Sequence, residues 1–191
     1  MSLEAFAVST GVVALSEIGD KTQLLALLLA ARFRQPLAIV LGILVATLAN
    51  HAMASALGAW VQGVVPAETL RWALAISFFA VAAWTLKPDQ LDEDEPPPSR
   101  SPMGVFGITV VAFFLAEMGD KTQIATVMLA AQYASLLTVT AGTTLGMMLA
   151  NVPAVLLGDR AVHFVPLHWV RRIAAGVFAV LGVLVLAGVG L

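Results

Sequence analysis

The chain has 191 residues, of which 60% are hydrophobic and 12% are charged, and its formal net charge is −2. Soluble domains contain about 25% charged residues, so this composition excludes an ordinary soluble protein and predicts a protein embedded in a membrane. Cysteine is absent, which excludes disulfide bonds and thiolate metal ligands and leaves oxygen and imidazole as the metal-binding donors.

Apolar stretches follow one another along the chain, and each is long enough for the roughly 20 residues that cross a bilayer as a helix. They cover residues 5–31, 36–62, 70–87, 103–131, 135–158 and 169–190. None of these stretches shows the alternation of apolar and polar residues that is typical of the strands of membrane barrels. In lipid, the backbone N–H and C=O groups must form their hydrogen bonds within their own segment, which favours helices. The predicted fold is an all-α polytopic membrane protein with six transmembrane helices, the first of which is retained rather than cleaved as a signal peptide.

The first stretch contains a charged motif. Residues 17–23 read Glu-Ile-Gly-Asp-Lys-Thr-Gln. On one continuous helix Glu17, Asp20 and Lys21 would share a face. However, the stretch would be about 40 Å long against a hydrocarbon core of about 30 Å, and glycine is unfavourable within helices, so we predict a tilt or a break near residues 16–19. Secondary transporters place their ion sites at such discontinuous helices.

Two polar residues stand together in the second stretch. Asn50 is interpreted equally well as a ligand or as a hydrogen-bonding residue between helices. His51 is predicted to be a hydrogen-bonded core histidine, and a proton relay is the alternative.

Residues 88–102 are rich in acidic residues and proline and are predicted to form a solvated, semi-stiff connector. Basic residues border this connector and the loops after the first and fifth stretches, whereas the opposite side has only Arg71. The positive-inside rule then makes the three loops cytoplasmic and both termini extracytoplasmic. The basic residues are Arg32, Arg34, Lys87, Arg100, Arg160, Arg171 and Arg172.

The second half of the chain repeats the first. Residues 117–123 read Glu-Met-Gly-Asp-Lys-Thr-Gln, and Leu-Ala-Asn at 48–50 returns at 149–151. Residues 1–87 and 103–191 are therefore predicted to be two copies of one three-helix unit. Because three spans are an odd number, tandem copies enter the membrane in opposite orientations and form a 3+3 inverted repeat.

The two motif copies are predicted to meet and form one metal site. Its ligands would be Glu17, Asp20, Glu117 and Asp120. With Lys21 and Lys121 nearby, the formal charge is −4 + 2 = −2, which suits one divalent cation or two protons in its place. Cation and proton binding would then be linked. Oxygen donors fit the hard cations Ca²⁺ and Mn²⁺ better than Cu²⁺ or Zn²⁺.

Other residues are predicted to support this site. Neutral oxygen donors are Thr22, Gln23, Thr122, Gln123, Asn50 and Asn151. Lys21 and Lys121 are predicted to act as structural tethers for the acids. The alternatives are buried ion pairs in a non-transporting scaffold, and an intramembrane aspartyl protease in which two acids share a proton. Each charged side chain near the bilayer centre costs about 2.5–3.5 kcal/mol. Because the chain carries the charged motif twice despite this cost, we favour a transport site over these alternatives.

The duplicated motif resembles that of the calcium/cation antiporter-2 family, which contains Golgi and chloroplast cation/proton exchangers and bacterial manganese exporters. Both copies match the family pattern Glu-x-Gly-Asp-(Lys/Arg)-(Thr/Ser). The resemblance implies a secondary transporter rather than an enzyme, which exports Mn²⁺, with Ca²⁺ as a second substrate, in exchange for protons. An antiporter that prefers Ca²⁺ is the alternative. The motif acids would bind the metal.

The resemblance also implies a location and partners. The compact chain is closest to bacterial exporters of the inner membrane. Its expected partners are the lipid bilayer and the transported metal ion, with no nucleic acid and no resident cofactor. A homo-oligomer is left open.

Overall fold

The structure is a computed structural model that describes residues 2–87, 101–157 and 167–188. Within these ranges the regular elements are eight helices. They are α1 (Leu3–Glu17), α2 (Lys21–Phe33), α3 (Pro36–Val64), α4 (Ala67–Thr85), α5 (Pro102–Glu117), α6 (Lys121–Tyr133), α7 (Leu136–Leu157) and α8 (Leu167–Leu186). The all-α prediction is confirmed. The predicted linker at 88–102 lies outside the described residues, except for Ser101 and Pro102 at the start of α5.

The helices coincide with the predicted apolar stretches. The second, third, fifth and sixth stretches are single helices, whereas the first and fourth are each divided into two. Among the described residues α3, α7 and α8 are long and apolar enough to cross a membrane, and the α5–α6 pair, bent by 72°, passes the same test as one broken span. This supports a polytopic membrane protein, and the count of six spans stays a prediction.

Both motif copies interrupt a helix at their glycine. Helix α1 ends at Glu17, Gly19 has φ +79°, and α2 begins at Lys21, directly after its N-cap Asp20. The second copy repeats this geometry, with φ +74° at Gly119. Glycine reaches positive φ without the strain of a Cβ atom. The predicted break is therefore present, so Glu17 ends one helix, whereas Asp20 caps the next helix and Lys21 begins it.

Equivalent helices of the two halves each pack against the opposite half of the chain. Helix α1 lies against α7, and its counterpart α5 lies against α3, while α4 packs on α8. Glycines make these approaches close: a Cβ atom on Gly42 would lie 2.6 Å from Cβ of Thr109, and one on Gly142 would lie 2.9 Å from Cβ of Ser9. This reciprocal packing brings the two helix breaks together.

Candidate cation site

The four motif acids are buried inside the helical bundle. Glu17 and Glu117 are fully buried, and Asp20 and Asp120 are at most 2% exposed. Burying carboxylates is costly unless cations or hydrogen bonds compensate them. The surroundings of each acid therefore indicate what the site is built to hold.

Each aspartate is paired with the lysine of the other motif copy. The Nζ atom of Lys21 lies 3.0 Å from Oδ1 of Asp120, and Lys121 bonds to Oδ1 of Asp20. The Lys121 side chain is 3% exposed, whereas that of Lys21 is 26% exposed. Two reciprocal ion pairs thus join the helix breaks. The aspartates also precede the first residues of α2 and α6, where the helix dipole favours negative charge.

Each glutamate is held by the threonine of its own motif copy. The Thr22 hydroxyl donates to Oε2 of Glu17 at 2.5 Å, and the Thr122 hydroxyl donates to Oε2 of Glu117 at 2.9 Å. Among the described residues the Oε1 atoms of both glutamates have no hydrogen-bond partner. The threonines therefore orient the glutamates and leave one oxygen of each available.

The motif glutamines stabilise the breaks. Oε1 of Gln23 accepts from the Gly19 N–H at 2.8 Å, and its Nε2 donates to the Ala150 carbonyl of α7 at 3.0 Å. Oε1 of Gln123 accepts from the Gly119 N–H at 2.7 Å. These bonds satisfy backbone donors that an interrupted helix leaves open. Both amide oxygens predicted as neutral ligands are therefore engaged in this structure.

The two asparagines differ. Asn50 donates to the Phe114 carbonyl at 3.0 Å and accepts from Nε2 of Gln123 at 3.4 Å, so it joins α3 to α5 and α6. Asn151 donates to the Met147 carbonyl of its own helix at 3.1 Å, and its Oδ1 has no partner among the described residues. Of the two, Asn151 is the one with an oxygen left for a ligand.

His51 is a core residue, as predicted, because its side chain is fully buried. Neither ring nitrogen has a hydrogen-bond partner among the described residues, so the predicted hydrogen bond is not found there.

Three of the four acids are close enough together that they could hold one metal ion. Glu17, Asp20 and Asp120 each offer one carboxylate oxygen, and these oxygens lie within 4.8 Å of one another. Three converging carboxylates suit a hard divalent cation. Glu117 is buried nearby but does not belong to this triad. Sequence reasoning missed the Ala150 and Phe114 carbonyls around the site, because a backbone carbonyl carries no signal in the sequence.

Comparisons with known proteins identify the family of this chain. The family described as "Divalent cation/proton antiporter GDT1" matches residues 5–93 and 105–189. A protein of Vibrio cholerae serotype O1 (strain ATCC 39541 / Classical Ogawa 395 / O395), named "Putative manganese exporter", is 51% identical over 177 residues, which cover 92% of this chain and 87% of that protein. No solved structure matches the chain. The resemblance found in the duplicated motif is confirmed, and the chain belongs to the GDT1 family of divalent cation/proton antiporters.

Proposed function

We propose that this protein exports Mn²⁺, with Ca²⁺ as a second substrate, in exchange for protons. The observation that carries the proposal is the buried triad of Glu17, Asp20 and Asp120, whose aspartates are held by lysines of the opposite motif copy. The name of the Vibrio relative supports Mn²⁺ as the cargo. An antiporter that prefers Ca²⁺ is the rival, since the same oxygen donors suit both ions.

The ion pairs suggest how the site exchanges its cargo. In this structure Lys21 and Lys121 bond to the two aspartates, whereas the glutamates accept hydrogen bonds from the neutral hydroxyl groups of Thr22 and Thr122. We therefore assign the two exchanged protons to the glutamates. A divalent cation would replace those protons and draw the aspartates away from the lysines, which keeps the total charge of the site constant.

The location follows the same reasoning. The exporter would lie in the bacterial inner membrane as a multi-pass protein with both termini outside the cytoplasm, consistent with the bacterial relative and with the distribution of basic residues. Residues 1–87 and 103–191 would form the two inverted units, and the site would lie between them. Alternating access would come from movement of the broken helices around this site.

The test is ion flux in proteoliposomes with an imposed pH gradient, comparing Mn²⁺, Ca²⁺, Mg²⁺ and Zn²⁺. We expect Mn²⁺ flux with proton counterflow, slower Ca²⁺ flux, and loss of both in Glu17→Gln. The matched control is Glu68→Gln, which removes an acid that is 81% exposed at the start of α4. Absence of flux for all four ions, or full flux in Glu17→Gln, would overturn the proposal.

A further inference from the structure

The two halves of the chain differ in polarity along the helices that lead away from the site. After the shared Leu-Ala-Asn, α3 continues with His51 and Ser55, and α6 carries Thr126. Residues 137–144 of α7 include four threonines, where the corresponding residues 37–44 of α3 include none. The counterparts of His51, Ser55 and Thr126 are apolar: Val152, Leu156 and Ala26. This difference is unexpected if both halves serve only to pack.

Of these polar residues, Thr126 lies on α6, and His51 and Ser55 lie on the part of α3 that packs beside α6. Helix α3 runs beside α6 from the bond between Asn50 and Gln123 to Gly58, where a Cβ atom would lie 2.2 Å from the Val127 carbonyl oxygen and 2.8 Å from Cβ of Ala130. The first half of α7 adjoins the end of α6. We call His51, Ser55, Thr126, Thr140 and Thr144 the polar face.

The polar face is buried, and of its five side chains only that of Thr126 has a hydrogen bond among the described residues, to the Thr122 carbonyl at 2.8 Å. The hydroxyl groups of Ser55, Thr140 and Thr144 and both nitrogens of His51 have no hydrogen-bond partner among the described residues. A buried polar group without a partner costs about 1–3 kcal/mol, so such groups are rarely kept for packing alone. Water would satisfy them if the surrounding helices separated.

The opposite end of the site is packed less closely. Ala130 and Ala131 of α6 are at most 1% exposed, whereas their counterpart Ala30 in α2 is partly exposed and Ala31 is exposed. A cavity of about 290 Å³ lies between the ends of α2 and α7, and it is lined by Ala30, Arg34, Pro36, Val155 and Leu156. The structure is therefore closed around α6 and looser around α2.

We propose that the polar face is the wall of a second, hydrated access path to the acidic cluster, which opens when α6 moves away from α3 and which the contact at Gly58 closes here. This inference rests on the proposed transport function. The predicted topology places the path on the extracytoplasmic side, where it would release the exported cation.

The test uses the absence of cysteine in the chain. Ser55→Cys places a thiol on the polar face, and Ser9→Cys is the matched control, because Ser9 is equally buried and lacks a partner among the described residues but packs against Gly142. Each thiol is alkylated with a hydrophilic maleimide, with and without Gly58→Val, whose side chain cannot fit against the α6 backbone. We expect Gly58→Val to accelerate labelling of Ser55→Cys by about tenfold or more and to leave Ser9→Cys unchanged. Equal acceleration at both thiols, or none at Ser55→Cys, would overturn the proposal.

A second measurement covers the case in which Gly58→Val does not fold. Ser55→Ala removes the hydroxyl without adding volume, and Ser9→Ala is its control. We expect Ser55→Ala to slow Mn²⁺ flux by about tenfold with Mn²⁺ binding to the purified protein retained, because the hydroxyl lies on the path rather than at the site. Normal flux in Ser55→Ala would contradict the path. Absence of flux in the unmodified protein would instead reject the transport proposal, and the labelling result would still decide whether the path exists.

Discussion

Each motif lysine is bonded to an aspartate of the other copy, yet the two lysines are not equivalent. Lys121 is almost completely buried, whereas the Lys21 side chain is 26% exposed. Removing one partner of a buried ion pair costs about 3–5 kcal/mol, because the remaining charge stays uncompensated. We therefore expect Lys121→Met to lower the free energy of unfolding by about 3 kcal/mol or more, and Lys21→Met to lower it less.

Thermal unfolding of the detergent-purified variants measures this difference. The double variant Asp20→Asn with Lys121→Met should recover part of the loss, because it leaves no unpaired charge. If the two single lysine variants were equally stable, the deeper burial of Lys121 would not make its ion pair with Asp20 stronger than the pair of Lys21 with Asp120.

The two glutamates are expected to have different roles. Glu17 belongs to the carboxylate triad, whereas Glu117 lies outside it. We expect Glu17→Gln to lose both Mn²⁺ binding and transport, and Glu117→Gln to lose transport while keeping Mn²⁺ affinity within about tenfold, since it removes no triad ligand. Calorimetric titration with Mn²⁺ beside the flux assay checks this. Equal loss of affinity in both variants would place Glu117 among the metal ligands.

At the scale of elements, the glycine of each motif sets the helix break. Gly119 has φ +74°, and no atom lies within 4 Å of the position that a Cβ atom would take. Gly119→Ala therefore adds only backbone strain, which we expect to lower stability by about 1–2 kcal/mol. Gly63→Ala is the control, because Gly63 lies in α3 with equally open surroundings and no positive φ, and alanine favours a helix there. The melting temperatures of the two variants measure this difference in stability. A Gly119→Ala variant with the melting temperature of the unmodified protein would contradict the expectation.

The helices were predictable from the sequence, but their contacts were not. Hydropathy located the apolar stretches, and the glycine in the charged motif favoured a break near residues 16–19. The exact turn at Gly19 placed Asp20 at a helix N-terminus, which separates it from the face of Glu17. The pairing of Lys121 with Asp20 and the bond from Gln23 to the Ala150 carbonyl join residues about 100 or more positions apart. Such contacts depend on tertiary packing, which local patterns do not specify.

At the scale of the whole molecule, the two halves are interlocked through the site. Helices α1 and α5 each pack on the opposite half, and both aspartate–lysine pairs cross between the motif copies. Movement of one broken helix therefore changes the ion pair on each side. This coupling gives a physical reason why binding of a cation and opening of a path should occur together.

The charge of the cluster predicts how transport responds to membrane potential. Four carboxylates and two ammonium groups sum to −4 + 2 = −2, so one divalent cation or two protons neutralise the site equally. Exchange of one cation for two protons moves no net charge. Exchange for one proton would move one charge. This charge is worth about 2.3 kcal/mol per 100 mV, which corresponds to a roughly 50-fold change in the steady-state Mn²⁺ gradient. We expect the gradient in proteoliposomes at fixed pH difference to stay constant when potassium and valinomycin impose a potential of about 100 mV. A shift approaching that size, with the gradient reduced when the side that receives Mn²⁺ is positive, would show that only one proton is exchanged and that the protonation of one glutamate does not change during the cycle.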